Sequence, residues 1–530
     1  MKKIEITILI LVIFLGAFLR LFKLTSSPPS ISWDEAAVGY NAWTVSNYGR
    51  DEWGKIFPLY FKSFEDDKRP VHIYITSAFI KLFGLSNLTI RLPSAIFGLF
   101  SILALYLLTK EIFKSSAIAL TAAFLLSISP YNIHFSRFNH EFNFCLFFYE
   151  LGLLFFFKGV NSNLKFLLLS FLFFGIDLFT YQAALIVVPL TLCLMVALYR
   201  KKILENRKIL FKSFLILFFF FLTIGLNPPL LGLSRVNQTN FPEQLIKSTN
   251  LYKISKNELF GRLEIALAEY KLHFTPDYLF IKGDKNPRLA DQISGQFNLI
   301  EGIFLALGLT LLATNPTKVG IIVLFWFFIA PLPSSLTPEA PHSARALFLN
   351  GSWQIISSLG IYQFLSLFRS KRIKLILVSI LTLFSLINVG NYYQKYWKTY
   401  PKRYAIEWQY GMKEVVDFVK ANPQFGWVYT TDIRSQPYIF YLYYLNSPLN
   451  VFRELVEYNE SRSRSFNLVN FYDKYHFGDW DIIETKPQEG ILYVVTSSQF
   501  DGLKYKNKAK IEKTIYYPDN GVSFIIYSAK

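Results

Sequence analysis

Long apolar runs broken by short polar turns fill roughly the first 390 residues, and each run is about as long as a helix needs to cross a bilayer. They fall at 4–22, 91–109, 117–134, 142–158, 164–180, 182–199, 211–229, 297–313, 319–334, 345–367 and 373–391. The pattern predicts an α-helical polytopic membrane protein with about eleven spans. The first run follows Lys2 and Lys3 and is closed by Arg20 and Lys23. It is too long for a signal-peptide core and lacks a small-residue cleavage site, so it is read as an anchor. The stretch 70–84 (PVHIYITSAFIKLFG) is apolar but short for a crossing. It reads as a helix lying in the interface, with Pro70 in its first turn and Gly84 ending it. Residues 35–48, with Tyr40, Trp43 and Tyr48, suit a second such helix.

Beyond about residue 395 the period changes. A helical stretch at 409–421 stops before Asn422-Pro423, and strand-like Trp427–Thr431 and Ile491–Ser497 bracket a helix at 437–445. Ile511–Tyr517 and Val522–Tyr527 flank Pro518-Asp519-Asn520-Gly521, a hairpin signal. The expected organisation is a transmembrane domain at 1–392, with outer loops 23–90 and 230–296, followed by an extracytoplasmic α/β domain at 393–530. The tail has no glycine-rich phosphate loop, no metal-spaced His/Cys cluster and no nucleophile elbow, so docking of a partner or acceptor suits it better than chemistry.

Composition supports this class: 52% of residues are hydrophobic, more than a soluble protein of this size requires. Cys145 and Cys193 both fall inside apolar runs, so no disulfide framework is implied. The net charge of +18 is largely an orientation signal. Arg200, Lys201, Lys202, Arg207, Lys208 and Lys212 share one set of loops with Lys110, Lys114, Lys158, Lys165, Lys318, Arg369, Lys371, Arg372 and Lys374. That set is cytoplasmic if the N-terminus is, in a multi-pass cell-membrane protein. Residues 23–90, 135–141, 230–296, 335–344 and the tail are then extracytoplasmic, and nucleic acid is not an expected partner.

The informative charges lie in the outer loops. Asp34-Glu35 follows the first run by about a dozen residues; Asp34 suits an N-cap for a helix beginning near Ala36, and equally a base facing an acceptor hydroxyl. Asp51, Glu52, Glu65, Asp66 and Asp67 compete with it in the same loop. Lys68-Arg69 before Pro70 suits snorkelling to headgroups or a phosphate clamp, while Arg91 reads as an interface anchor. The turn His134–Glu141 carries Arg137 and Glu141 four apart, which fits a helical pair or a site edge. Asp177 and Glu150 lie within runs, Glu150 with no role assigned. Thr337–Arg345 places His342 and Arg345 where an anion could meet them, and 274–288, containing Asp277 and Asp284, reads alone as turn and surface. Carboxylates and arginines thus occupy four outer loops, which predicts an outward-facing polar cleft for an amphiphile with an anionic head and an apolar tail.

In their order these features resemble the C-superfamily (GT-C) membrane glycosyltransferases that use polyprenyl-phosphate sugars, in the protein mannosyltransferase, aminoarabinose transferase and rhizobial lipopolysaccharide glycosyltransferase branch. The residues that carry the likeness are Arg20, Trp33-Asp34-Glu35…Tyr40, Lys68-Arg69-Pro70…Phe83-Gly84…Arg91-Leu92-Pro93, Ser129-Pro130…Ser136-Arg137…Glu141, Phe274-Thr275-Pro276-Asp277…Gly283-Asp284 and Pro341-His342…Arg345. The resemblance implies Asp34 as general base; Glu35, grouped with it as catalytic, is the weaker partner, with an orienting role, a metal-ligand role and neither all open. It implies donor phosphate or sugar contacts at Lys68, Arg69, Arg137, Glu141, His342 and Arg345. The implied reaction is inverting transfer from a polyprenyl-phosphate-linked sugar to a glycan, glycolipid or protein hydroxyl, beside membrane lipid. No cofactor is firm, with room for a divalent metal. The alternative function is a transporter or flippase of lipid-linked sugars, which calls for deep charges and broken helices.

Overall fold

The computed structural model describes residues 3–64, 66–232, 240–459, 467–478 and 484–530, so Glu65 and the side chain of Asp66 lie outside the described set. All eleven predicted runs are helical. They are α1 (Lys3–Leu21), the body of α4 (Asn87–Phe113), the pair α5 (Ser116–Ser127) and α6 (Pro130–Ser136), α7 (Phe142–Asn161), α8 (Phe166–Leu178), α9 (Ala184–Ile203) and α10 (Arg207–Leu226). After α11 (Glu258–Leu272) follow α12 (Leu299–Thr314), α13 (Lys318–Ile329), α14 (Leu349–Ser366) and α15 (Lys371–Lys398). By length and apolarity, six helices among the described residues qualify to cross a membrane, or seven if α5 and α6, bent by 58°, form one span. The difference from about eleven has physical causes. One 43-residue helical stretch, Ala184–Leu226, takes in two predicted runs. Two others, α8 and α12, have only 13 and 16 residues, short of the bilayer core at about 1.5 Å per residue. Within α14 the backbone leaves helical geometry at Asn350 and at Gly351, whose φ of 86° favours glycine.

The chain divides into two compact units. The first comprises residues 1–22 and 94–396; the second comprises 23–93 and 397–530. The first outer loop therefore groups with the C-terminal segment, whereas the linear reading attached it to the transmembrane domain.

In the first unit, α12 and α14 pack closely because Gly308 faces the Ile356 carbonyl and Gly360 faces the Phe304 carbonyl. A Cβ at either position would strike backbone. Close approach of small residues is how helices associate where lipid removes the hydrophobic incentive. Gly360→Ala is therefore expected to lower stability by about 1–3 kcal/mol, read as a fall in thermal midpoint of the detergent-solubilised protein. An unchanged midpoint would refute the close contact.

The second unit holds α2 (Trp33–Tyr48), a hairpin of β1 (Phe61–Ser63) and β2 (Asp66–Lys68), α3 (Pro70–Phe83), and the C-terminal domain. Among the described residues that domain holds a seven-stranded mixed sheet in the order β4-β5-β6-β3-β7-β9-β8. Its strands are β3 (Trp427–Thr430), β4 (Glu457–Tyr458), β5 (Val469–Tyr472), β6 (Tyr475–Phe477), β7 (Ile491–Val495), β8 (Ala509–Tyr516) and β9 (Val522–Ala529). β3 pairs in parallel with both β6 and β7, and β8–β9 is the expected hairpin. The core joins α2 and α3 to the helices Met412–Ala421 and Pro437–Leu445 and to one face of this sheet; Tyr40, Ile73, Val415, Tyr441 and Phe524 are all buried in it.

Candidate active site

The segment before α2 is organised by Arg91. Its Nε and one terminal nitrogen bind Glu35 Oε1 and Oε2 at 2.8 and 2.9 Å, and its other N–H groups reach the carbonyls of Leu24 (3.1 Å), Pro28 (2.9 Å) and Ser30. Arg91 and Glu35 are both fully buried. Ser32 is the N-cap of α2, and Ser32 with Glu35 forms a reciprocal capping box. The N-cap expected at Asp34 thus lies two residues earlier, at Ser32. Arg91 is structural as read, but it is a buried clamp and not an interface anchor.

Asp34 lies in the first turn of α2 without capping it. Its carboxylate pairs with Lys68 Nζ at 2.5 Å, and the Asp34 side chain keeps 26% of its surface while Lys68 keeps 6%. Lys68 is placed by the hairpin register, in which it sits opposite Phe61. Arg69 is buried at the N-cap of α3, with Pro70 in the first turn. The C-terminal domain supports the same region: Gln409 Oε1 accepts the Trp33 N–H at 3.2 Å, and the Trp408 ring lies 5.9 Å from the Arg91 guanidinium.

Two other acids in this loop, Asp51 and Glu52, are engaged elsewhere. Asp51 Oδ1 accepts the N–H groups of Trp53 and Lys55 in a turn. Glu52 is buried against Asn41, and burial pushes its carboxyl up to about 8. Of the adjacent acids, Asp34 is the carboxylate turned outward, and Glu35 is locked into the helix start.

In the first unit, Arg137 donates to the carbonyls of Leu19, Arg20 and Phe22, each at 3.0 Å, and to the Tyr393 hydroxyl at 3.1 Å. It terminates α1 by satisfying its last carbonyls, a favourable place for a cation. In sequence Arg137 reads as a donor contact; in the structure long-range packing gives it these protein acceptors. Glu141 is buried and paired with His140, whose ring stacks on Phe142 at 4.1 Å. Asp177 is buried at the end of α8 and Glu150 is buried in α7.

Arg345 does border a cavity. It joins Tyr181, Gln182, Leu231, Asn240 and Thr337 around a space of about 300 Å³. It donates to Thr337 Oγ1 at 2.6 Å and pairs with Glu339 at 2.9 Å. His342 bonds inward: its N–H donates to Ser334 Oγ at 2.9 Å, and its Nδ1 accepts the Arg345 N–H at 3.4 Å. Asp284, read as surface, is buried and accepts the Ser343 N–H at 2.6 Å. Ser343 and Gln296 were not singled out from the sequence. The only signal for Ser343 was its place between His342 and Arg345.

Among the described residues, no group of three or more His, Cys, Asp or Glu side chains is arranged to hold a metal. Glu35, the residue offered as a ligand, is engaged by Arg91.

Residues 67–224 match the family described as dolichyl-phosphate-mannose-protein mannosyltransferase. The chain is 28% identical over 183 residues to YkcB of Bacillus subtilis (strain 168), which is named a candidate mannosyltransferase. That match takes in 33% of this chain and 24% of the relative, so the likeness spans about a quarter of the longer protein. Two solved structures are similar over nearly the whole chain. The oligosaccharyltransferase of Archaeoglobus fulgidus, solved with a tethered acceptor peptide, gives a TM-score of 0.54 at 14% identity, covering 99% of this chain and 74% of its own. ArnT from Cupriavidus metallidurans, bound to undecaprenyl phosphate, gives 0.53 at 12% identity, covering 99% and 97%. At these identities the likeness speaks for fold. The chain has the fold of the GT-C membrane glycosyltransferases and, over the matched residues, resembles their mannosyltransferase branch.

Proposed function

We propose that this protein transfers a sugar, with inversion, from a polyprenyl-phosphate carrier to a hydroxyl acceptor on the extracytoplasmic face of the cell membrane. The observation that carries the reading is the Asp34–Lys68 pair: an outward carboxylate and an ammonium at 2.5 Å, at the start of a helix fixed by other residues. Asp34 takes the acceptor hydroxyl proton as that oxygen bonds to the anomeric carbon. The bond from that carbon to the phosphate oxygen breaks, and the electron pair leaves with the lipid phosphate. Lys68 exchanges its carboxylate partner for the phosphate, which frees Asp34 to act as base and offsets the charge of the leaving group. Arg345, at a cavity with largely apolar walls, is assigned to the donor phosphate. Arg69 stays a candidate contact, and Arg137 and Glu141 are assigned support of the scaffold. An apolar groove of about 550 Å³, lined by residues including Phe274, Leu279, Leu305 and Trp353, suits a prenyl tail.

The test is transfer by the purified full chain from defined polyprenyl-phosphate sugars to glycan, glycolipid and peptide hydroxyls, with the product's anomeric configuration read by NMR. An inverted product supports the proposal, and retention refutes the single displacement. Lys68→Ala is expected to weaken donor binding by about tenfold or more, measured as the Kd for the carrier lipid. An unchanged Kd would remove Lys68 from the phosphate site.

Transport of lipid-linked sugars stays open on two observations: buried Glu150 and the interrupted helix at Asn350-Gly351. Scrambling of a lipid-linked sugar across vesicles without any acceptor would favour that reading.

A further inference from the structure

We infer that Asp284 and Ser343 are positioning residues that hold Arg345 at the mouth of its cavity. The long outer loop would then act on the donor phosphate through the 337–345 turn. This rests on the assignment of Arg345 to that phosphate.

Ser343 is fully buried, and each of its polar groups is engaged. Its N–H donates to Asp284 Oδ2 at 2.6 Å, its Oγ accepts from Gln296 Nε2 at 2.6 Å, and its carbonyl accepts the Tyr131 hydroxyl. Asp284 is fixed from its other side, where Oδ1 accepts the Asn286 N–H at 2.9 Å. A second tether starts at His273, which follows α11. Its Nδ1 faces the carbonyls of Glu269 and Tyr270, an arrangement that places the ring proton there. Nε2 then accepts from Ser334 Oγ at 2.7 Å, and Ser334 Oγ in turn accepts the His342 N–H. Arg345 stands two residues beyond Ser343. Its side-chain pairing with Glu339, which is 57% exposed, is worth little by itself. The pinned backbone and the Thr337 Oγ1 bond within the same turn therefore set where the guanidinium points.

Asp284 also makes this hold sensitive to pH. Burial pushes its carboxyl up from the usual range to about 6, and the Glu339 charge acts in the same direction. The other titratable groups facing it are the Tyr131 and Tyr278 hydroxyls. Below about 6 the carboxyl carries a proton, and the Ser343 bond loses the strength a charged acceptor gives it. A raised carboxyl pKa means that protonation favours the folded state. Stability through this group is present at low pH and lost as pH rises through 6, so affinity and stability move in opposite directions. A purely structural role would not separate them.

The experiment measures binding of undecaprenyl phosphate to the full chain in nanodiscs from about pH 5 to 8. The parent is expected to lose about tenfold in affinity between the two ends. Asp284→Asn should bind about tenfold more weakly at neutral pH, with the acid limb flattened to the titration of the lipid phosphate alone. Ser343→Ala, which keeps the N–H, should retain the acid limb. Arg345→Ala should bind weakly, with its acid limb likewise reduced to the titration of the lipid phosphate alone. If Arg345→Ala binds like the parent, the phosphate assignment falls. If it weakens binding but Asp284→Asn keeps the parent's affinity and pH profile, the positioning inference falls alone. Should Asp284→Asn not fold, an acid limb in Arg345→Ala as large as the parent's overturns the inference.

Discussion

Asp34→Asn is expected to abolish sugar transfer while leaving the protein expressed and folded. The substitution keeps the shape of the side chain and removes its ability to take a proton. General-base catalysis contributes about 10²–10⁴ in rate, so turnover at saturating donor should fall by at least the lower figure. The fold has little reason to suffer. The start of α2 is held by Ser32 and Glu35, and Asp34 does not cap it. Its ion pair with Lys68 involves a carboxylate still 26% exposed, and such pairs are worth about 0–1 kcal/mol. Donor affinity should survive, because Lys68 and Arg345 are untouched. The measurement is therefore split: turnover on one side, carrier-lipid Kd and thermal midpoint on the other. Transfer within about threefold of the parent would sink the base assignment; a collapsed midpoint would show that Asp34 belongs to the scaffold.

The elements whose signal is local were legible from the amino-acid order. Apolar runs became helices, Pro70 opened α3, and Pro518-Asp519-Asn520-Gly521 became the β8–β9 turn. Even the capping box is written out as Ser32-x-x-Glu35, although Asp34 beside it is as good a capping residue by type. What stayed hidden depends on contacts far apart in the chain. Arg91 meets Glu35 across 56 positions, and Arg137 meets the end of α1 across more than a hundred. In sequence each is simply an arginine near a membrane face, equally suited to phosphate, lipid or a carbonyl. The same applies to Asp284, whose burial follows from packing against the 337–345 turn. The segment 23–93 groups with the C-terminal domain because α2 and α3 share its core, which no local period announces.

Arg91→Ala should be the most damaging single change in the second unit. The guanidinium makes five hydrogen bonds, one for each N–H: two to Glu35 and one each to Leu24, Pro28 and Ser30. Removing it strands a fully buried carboxylate and three carbonyls. Breaking a buried pair from one side costs about 3–5 kcal/mol, enough to unfold a marginally stable unit. The expected result is a sharp loss of thermal midpoint and protease resistance in residues 23–93. Lysine at this position should recover little, since one ammonium cannot reach acceptors spread around a planar fork. The double variant Arg91→Met, Glu35→Gln should be more stable than Arg91→Ala, because no uncompensated charge is left buried. The same pair of measurements separates the two roles left for Glu35. If it anchors α2, Glu35→Gln lowers the midpoint, and turnover falls only as far as the fold is lost. A Glu35→Gln protein with the parent's midpoint and no turnover would instead place Glu35 beside the reacting atoms.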